Sequence, residues 1–64
     1  MQRTIIVVDD EPIIRLDLCQ MLESLDFHVV AEGEDGFDAV ELCRQKHPDM
    51  VLLDLEMPLF DGLT

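Results

Sequence analysis

The most informative stretch of the chain is Ile5-Ile6-Val7-Val8-Asp9-Asp10-Glu11-Pro12. Four consecutive aliphatic residues are followed by three acids and a proline. An uninterrupted apolar run of this kind is typical of a strand that is covered on both faces of a parallel sheet. Proline suits the first position of a helix, where its missing N–H group loses no hydrogen bond. The stretch therefore predicts a buried strand that leads through an acidic turn into a helix.

Two further apolar runs and two amphipathic segments continue this alternation. We expect strands at residues 4–8, 27–31 and 50–53, and helices at residues 12–25 and 36–47. His28 interrupts the middle run, as is typical of an edge strand. The βαβαβ order with right-handed crossovers predicts an α/β fold that begins a doubly wound parallel sheet.

Both helical segments carry an apolar stripe at helical spacing, which we expect to be buried. The stripe of the first helix consists of Ile14, Leu18, Met21, Leu22 and Leu25, and Arg15 lies away from it. The stripe of the second helix consists of Phe37, Val40 and Cys43. Asp35 is placed to cap the second helix. Cys19 and Cys43 form no CxxC motif, which indicates buried thiols in a reducing compartment.

Composition narrows the class of protein. The chain has 64 residues, with 15 Asp and Glu against 4 Lys and Arg, and a formal net charge of -11. This balance argues against nucleic-acid binding by this segment, because phosphate contacts need clustered basic residues. The first apolar run is too short for a signal peptide or a membrane span. We expect a cytoplasmic chain that does not contact a membrane.

Acidic residues lie at the ends of the first and third predicted strands. Asp9, Asp10 and Glu11 follow the first, and Asp54 follows the third. Reactive groups in open parallel sheets gather beyond the carboxyl ends of the strands, so neighbouring strands would bring these acids into one crevice. Like charges there repel one another, and Mg²⁺ with oxygen ligands is the natural counter-ion. The alternative for the first three acids is a solvated turn that begins a helix.

Three motifs occur in a fixed order: Val7-Val8-Asp9-Asp10-Glu11-Pro12, then Asp35-Gly36, then Val51-Leu52-Leu53-Asp54-Leu55-Glu56-Met57-Pro58 with Asp61-Gly62. In this order and at these separations, the chain resembles the N-terminal half of a response-regulator receiver domain from a two-component system. The resemblance implies the first half of a flavodoxin-like receiver fold, with strand order 2-1-3. Residues 1–64 would then be a truncated receiver domain.

The resemblance also implies roles for individual residues. Asp54 corresponds to the phosphoacceptor and also belongs to the metal site. Asp10 corresponds to the direct Mg²⁺ ligand, and Asp9 to a second acid of that site. Glu56 would lend its backbone carbonyl to the metal. The phosphoryl donor would be a histidine kinase. Because a receiver is a phosphoacceptor, we expect this chain not to be an enzyme.

A complete receiver has about twice this length, and its second half carries a Ser or Thr and a Lys that contact the phosphoryl group. The 64 residues contain no counterpart of either, so we expect impaired phosphorylation. The third strand would also lack its next neighbour. An apolar strand edge such as Met50-Val51-Leu52-Leu53 is a template for pairing with another chain. We expect this edge to be covered, either by a second copy in a symmetric homodimer or by a remainder of the protein.

Two other functions are compatible with the sequence. The chain could act as a half-domain in folding or assembly, with the acids idle. An acid-pocket phosphatase with aspartyl-phosphate chemistry is a third hypothesis, although it would favour a DxD pattern at one strand end.

Residues 11–17 are similar to the first helix of receivers that are joined to an RNA-binding antitermination domain.

Overall fold

The computed structural model describes residues 2–54 of the chain. Its elements follow in the order β1 (Arg3–Asp9), α1 (Pro12–Ser24), β2 (Phe27–Gly33), α2 (Gly36–Lys46) and β3 (Met50–Asp54). The strands form one parallel sheet in the order β2-β1-β3. The predicted α/β class, the βαβαβ order and the strand order 2-1-3 are confirmed.

The central strand β1 supplies the core on both faces of the sheet. Successive side chains of a strand point to opposite faces. Ile5 and Val7 accordingly pack in one apolar cluster with residues of α1, and Ile6 and Val8 pack in another with Ala39 of α2. The two helices therefore cover opposite faces, as the uninterrupted apolar run of β1 predicts.

Both helices begin as their sequences predict. Pro12 occupies the start of α1. At the start of α2, the Asp35 carboxylate accepts a hydrogen bond from the Asp38 N–H group at 2.9 Å. The Asp38 carboxylate in turn accepts one from the Glu34 N–H group at 2.9 Å. The first of these bonds satisfies a backbone donor that a helix start would otherwise leave unpaired, and the second holds the residue before the cap.

The expected apolar stripes are only partly buried, and here the sequence-based prediction was wrong. Phe37 is 86% exposed and Val40 is 61% exposed. Ile14, Met21 and Leu25 are also exposed, whereas the buried residues of the helices are Cys19, Leu22 and Ala39. Strands lie about 4.8 Å apart, so three of them are only about as wide as one helix. The described sheet therefore covers the centre of each stripe and leaves its margins exposed.

The strands on either side of β1 differ from it in exposure. In β2, His28 is exposed, which agrees with its predicted edge position. In β3, Met50, Val51 and Leu53 are all more than a third exposed.

Neither of the helices in residues 2–54 has the length and hydropathy needed to cross a membrane.

Candidate functional site

The carboxyl ends of β1 and β3 lie side by side. The register of the parallel pair matches Val7 with Leu52, Val8 with Leu53, and Asp9 with Asp54. Neighbouring strands are about 4.8 Å apart, so the two aspartates lie on adjacent strands at the same edge of the sheet. Val7 and Leu52 belong to the apolar cluster on the α1 face. Because side chains alternate along a strand, Asp9 and Asp54 fall on that same face.

Asp9 is the buried acid of this edge. It is only 2% exposed, in contrast to most acids of globular proteins. Its Oδ1 atom accepts a hydrogen bond from the Glu11 N–H group at 2.8 Å, which closes a tight turn after β1. Its Oδ2 atom is buried and has no hydrogen-bond partner within residues 2–54. The solvated-turn alternative is therefore wrong for Asp9.

The other acids of the edge are open to solvent. Asp10, Glu11 and Asp54 are all exposed. Asp10 lies in the connection between β1 and α1, and Asp54 is the last residue of β3. Within the described part of the chain, solvent therefore reaches these three side chains, whereas Asp9 is buried.

The donor atoms of this edge fit a hard divalent cation. A buried carboxylate oxygen without a partner is costly unless a positive charge or a hydrogen-bond donor reaches it. Mg²⁺ takes oxygen ligands and is typically held by one or two carboxylates together with waters. Among residues 2–54, no three His, Cys, Asp or Glu side chains form a group that could by itself hold a metal ion. Glu56, the proposed carbonyl ligand, lies outside the described residues.

A cation of the protein also reaches this edge. The Arg15 guanidinium donates from one terminal nitrogen to the carbonyl oxygen of Asp9 at 2.9 Å and to that of Gly33 at 3.3 Å. Its Nε atom lies 3.2 Å from Oε1 of Glu32. Helical periodicity placed Arg15 away from the apolar stripe, and sequence analysis assigned it no role. The feature of the sequence that could have indicated this contact is the position of Arg15, one helical turn after the acidic turn.

Cys19 borders this group of charges from the α1 side. Burial raises the pKa of its thiol, and the Glu32 carboxylate raises that pKa further by repelling the thiolate and by hydrogen bonding to the thiol. Arg15 acts in the opposite direction and offsets part of the rise. The expectation that Cys19 is a buried thiol agrees with this environment.

Thr4 and Asp49 form a second feature that sequence analysis missed, at the opposite end of the β1 and β3 pair. The Asp49 carboxylate accepts hydrogen bonds from the backbone N–H group and the hydroxyl of Thr4. In return, the Asp49 N–H group donates to the carbonyl and hydroxyl oxygens of Thr4. These bonds lie outside the site but hold the two strands in step.

Comparison with known proteins agrees with this geometry. A family model described as the response regulator receiver domain matches residues 5–64. The transcriptional regulatory protein PdtaR of Mycobacterium tuberculosis is 41% identical over 61 residues, which are 95% of this chain and 30% of that protein. The chemotaxis protein CheY of Bacillus subtilis is 41% identical over 64 residues, which are 100% of this chain and 53% of that protein. The chain thus spans about half of CheY and less of PdtaR.

A third relative corrects one expectation. The protein-glutamate methylesterase/protein-glutamine glutaminase 2 of Nitratidesulfovibrio vulgaris is 45% identical over 62 residues, which are 95% of this chain and 17% of that protein. By its name this relative is an enzyme. The expectation that the chain is not an enzyme was therefore wrong. Resemblance to a receiver domain does not exclude an enzyme, because a segment of this kind occurs within one.

The assignment of the chain to a family rests on agreement between the family-model match and the observed fold. The matched region begins in β1 and includes every element from α1 to β3. The strand order β2-β1-β3 is the one that the receiver resemblance implies. Asp9 and Asp54, the acids of two of its motifs, are register partners at one edge of the sheet. The chain belongs to the response regulator receiver domain family.

Proposed function

We propose that this chain is the phosphoacceptor module of a two-component response regulator, in which Asp54 receives a phosphoryl group from a histidine kinase in an Mg²⁺-dependent reaction. One observation carries the proposal: exposed Asp54 is the register partner of buried Asp9, whose Oδ2 atom lacks a hydrogen-bond partner in the described part of the chain. An exposed carboxylate can act as the nucleophile, and a buried carboxylate oxygen without a partner favours binding of a cation that offsets the charge of the reacting groups.

In the proposed reaction, a carboxylate oxygen of Asp54 attacks the phosphorus atom of a phosphohistidine. An O–P bond forms, the P–N bond breaks, and the imidazole nitrogen leaves with the electron pair of that bond. When bound, Mg²⁺ offsets the charge of the carboxylates and of the phosphoryl oxygens. Asp54 suits the nucleophile because it is exposed, while the burial and turn hydrogen bond of Asp9 favour a fixed role.

Acetyl phosphate with Mg²⁺ tests the acceptor in the absence of a kinase. We expect the intact mass to increase by one phosphoryl group, and we expect Asp54→Asn to abolish the increase. Asp17→Asn is a matched control, since Asp17 is an exposed acid on α1. An increase that persists in Asp54→Asn would contradict the proposed acceptor. Failure of the unsubstituted protein to react would favour the competing hypothesis that the acids are idle in a folding or assembly unit.

Calorimetric titration with Mg²⁺ tests the metal site separately. We expect Asp10→Asn to weaken the affinity, because it removes one negative charge from a site whose attraction for the cation is electrostatic. Asp17→Asn should leave the affinity nearly unchanged. An identical affinity in the unsubstituted protein and in Asp10→Asn would argue against Asp10 as a ligand.

The wider setting follows from the resemblance and remains part of the proposal. We propose a cytoplasmic regulator whose partner is a histidine kinase and whose output is gene regulation, as the name of PdtaR describes for that relative. The antitermination subfamily stays a prediction, as does the absence of nucleic-acid and membrane contacts in this segment. The 64 residues alone should react more slowly than a chain that also supplies the expected Ser or Thr and Lys.

Pairing between two copies through β3 also stays a prediction. β3 is the outer strand beside β1 in the described sheet, and its Val51 and Leu53 side chains are exposed. Unpaired apolar edges favour association with another chain. Sedimentation of the 64-residue chain should show a dimer, and a folded monomer at all concentrations would contradict this prediction.

A further inference from the structure

Arg15 joins the carboxyl ends of two neighbouring strands. Its guanidinium donates to the carbonyl oxygens of Asp9, the last residue of β1, and Gly33, the last residue of β2. Its side chain is only 16% exposed, so solvent screens these contacts less than those of a surface arginine. The ion pair with Glu32 of β2 adds a third contact to the same side chain. One residue of α1 thereby connects the helix to both strands.

The contact with Asp9 bears directly on the acidic turn. The carbonyl group of Asp9 belongs to the peptide that leads into Asp10, so holding its oxygen restricts the rotation of that peptide. The Asp9 carboxylate holds the next part of the turn through the Glu11 N–H group. Arg15 and the Asp9 side chain therefore fix successive peptides of one turn, from β1 to the beginning of α1.

The chemistry of the contact also leaves the carboxylate available. Arg15 binds the backbone carbonyl of Asp9, and the buried Oδ2 atom has no partner among residues 2–54. The guanidinium thus brings a positive charge to an acid-rich edge without occupying that carboxylate oxygen. A lysine could supply the charge, but its compact ammonium lacks the planar fork that here spans two carbonyls and a carboxylate.

We propose that Arg15 is a positioning residue that holds the Asp9 to Asp10 turn in the geometry that binds a divalent cation. This inference rests on the proposed function, because the divalent cation is the Mg²⁺ ion of that proposal. Arg15 acts through the backbone and does not touch the cation. Residues that orient metal ligands in this way typically change metal affinity by 10-fold or more when they are substituted.

Arg15→Gln and Arg15→Lys test the proposal in the intact protein, with Arg3→Gln as the matched control. Arg3 begins β1 at the opposite end of the sheet and undergoes the same loss of charge. In Mg²⁺ titrations, we expect Arg15→Gln to weaken binding roughly tenfold. Arg15→Lys should restore part of this loss because its ammonium group can still donate a hydrogen bond to a backbone carbonyl. Arg3→Gln should change the affinity less than twofold. Unchanged affinity in both Arg15 variants would overturn the proposal.

A second measurement needs no metal. Hydrogen exchange at the Glu11 amide reports on the turn itself, because that N–H group donates to Asp9. We expect this amide to exchange severalfold faster in Arg15→Lys than in the unsubstituted protein, while amides in the centre of β1 keep their protection. Lysine keeps the charge, so this variant remains informative if Arg15→Gln does not fold. Equal exchange at Glu11 in Arg15→Lys and in the unsubstituted protein would overturn the positioning role.

The two measurements separate the possible failures. If the unsubstituted protein binds no Mg²⁺, or if Asp10→Asn leaves its affinity unchanged, the proposed function fails, and the inference about metal binding fails with it. Faster exchange at Glu11 in that case would still show that Arg15 orders the turn. If Mg²⁺ binds and depends on Asp10 but neither Arg15 variant alters affinity or exchange, the proposed function stands and the inference about Arg15 is wrong.

Discussion

Thr4, near the start of β1, and Asp49, which directly precedes β3, are joined by reciprocal hydrogen bonds. Oδ2 of Asp49 lies 2.9 Å from the Thr4 backbone nitrogen and 3.2 Å from its hydroxyl oxygen. The Asp49 nitrogen lies 3.1 Å from the Thr4 carbonyl oxygen. Both strands then run in step to their other ends, where Asp9 and Asp54 are partners. A slip by one residue would turn the side chains of β3 to opposite faces.

Asp49→Ala should therefore destabilise the protein. The substitution removes the acceptor for two donors of Thr4, and hydrogen bonds of this kind contribute about 1 kcal/mol net. We expect the free energy of unfolding in urea to fall by about that amount. Asp17→Ala, which removes an exposed acid from α1, should change it by less than about 0.5 kcal/mol. Equal effects of the two substitutions would contradict a role for the Thr4 and Asp49 pair.

Gly33→Ala should destabilise the contact between β2 and α2. A Cβ atom at Gly33 would lie 2.8 Å from Cβ of Asp38 and 3.4 Å from a methyl group of Leu42. The helix would have to move, and overpacking of this kind costs about 1–3 kcal/mol. Gly36→Ala is the matched control because nothing lies within 4 Å of a Cβ atom there. Thermal unfolding should show a lower midpoint for Gly33→Ala than for Gly36→Ala, and the reverse order would contradict this packing.

Asp35→Ala should weaken the start of α2. The Asp35 carboxylate accepts the Asp38 N–H group, and loss of a cap of this type costs about 1 kcal/mol. Asp35→Asn keeps an acceptor oxygen and should retain most of the stability. Urea unfolding monitored by circular dichroism distinguishes the two variants. If Asp35→Asn loses as much stability as Asp35→Ala, charge near the helix start matters more than the cap.

Cys19 should make stability depend on pH in the alkaline range. Its pKa is raised by burial and by Glu32, so the unfolded chain releases the thiol proton at a lower pH than the folded protein does. The resulting contribution is fully present below the unfolded pKa, about 8.5, and is lost as the pH rises through the folded value. The difference in free energy of unfolding between the unsubstituted protein and Cys19→Ala should therefore shrink on going from neutral to alkaline pH.

Leu22→Ala is the control for this pH dependence. Leu22 belongs to the same buried cluster as Cys19 but has no titrating group. The cost of Leu22→Ala should be nearly constant over the same pH range. A difference for Cys19→Ala that stays constant or grows with pH would contradict a raised thiol pKa.

Sequence reasoning was accurate where the signal is local. The apolar run of β1, the proline at the start of α1 and the Asp35 cap each act within a few neighbouring residues, and the structure has all three. It was inaccurate for the exposed residues Phe37 and Val40. Periodicity shows which residues share a helical face, but the burial of that face depends on how much of it the sheet covers.

The chain's own residues were enough to predict the alternation of strands and helices and the acids at two strand ends, because periodicity and capping are properties of short segments. The receiver family came from the resemblance of its motifs. Only the tertiary structure decided that Asp9 is buried while Asp10 and Asp54 are exposed. It also decided that Arg15 reaches the ends of two strands. Both depend on strand register and on how the helix packs against the sheet, which the pattern within a single segment does not specify.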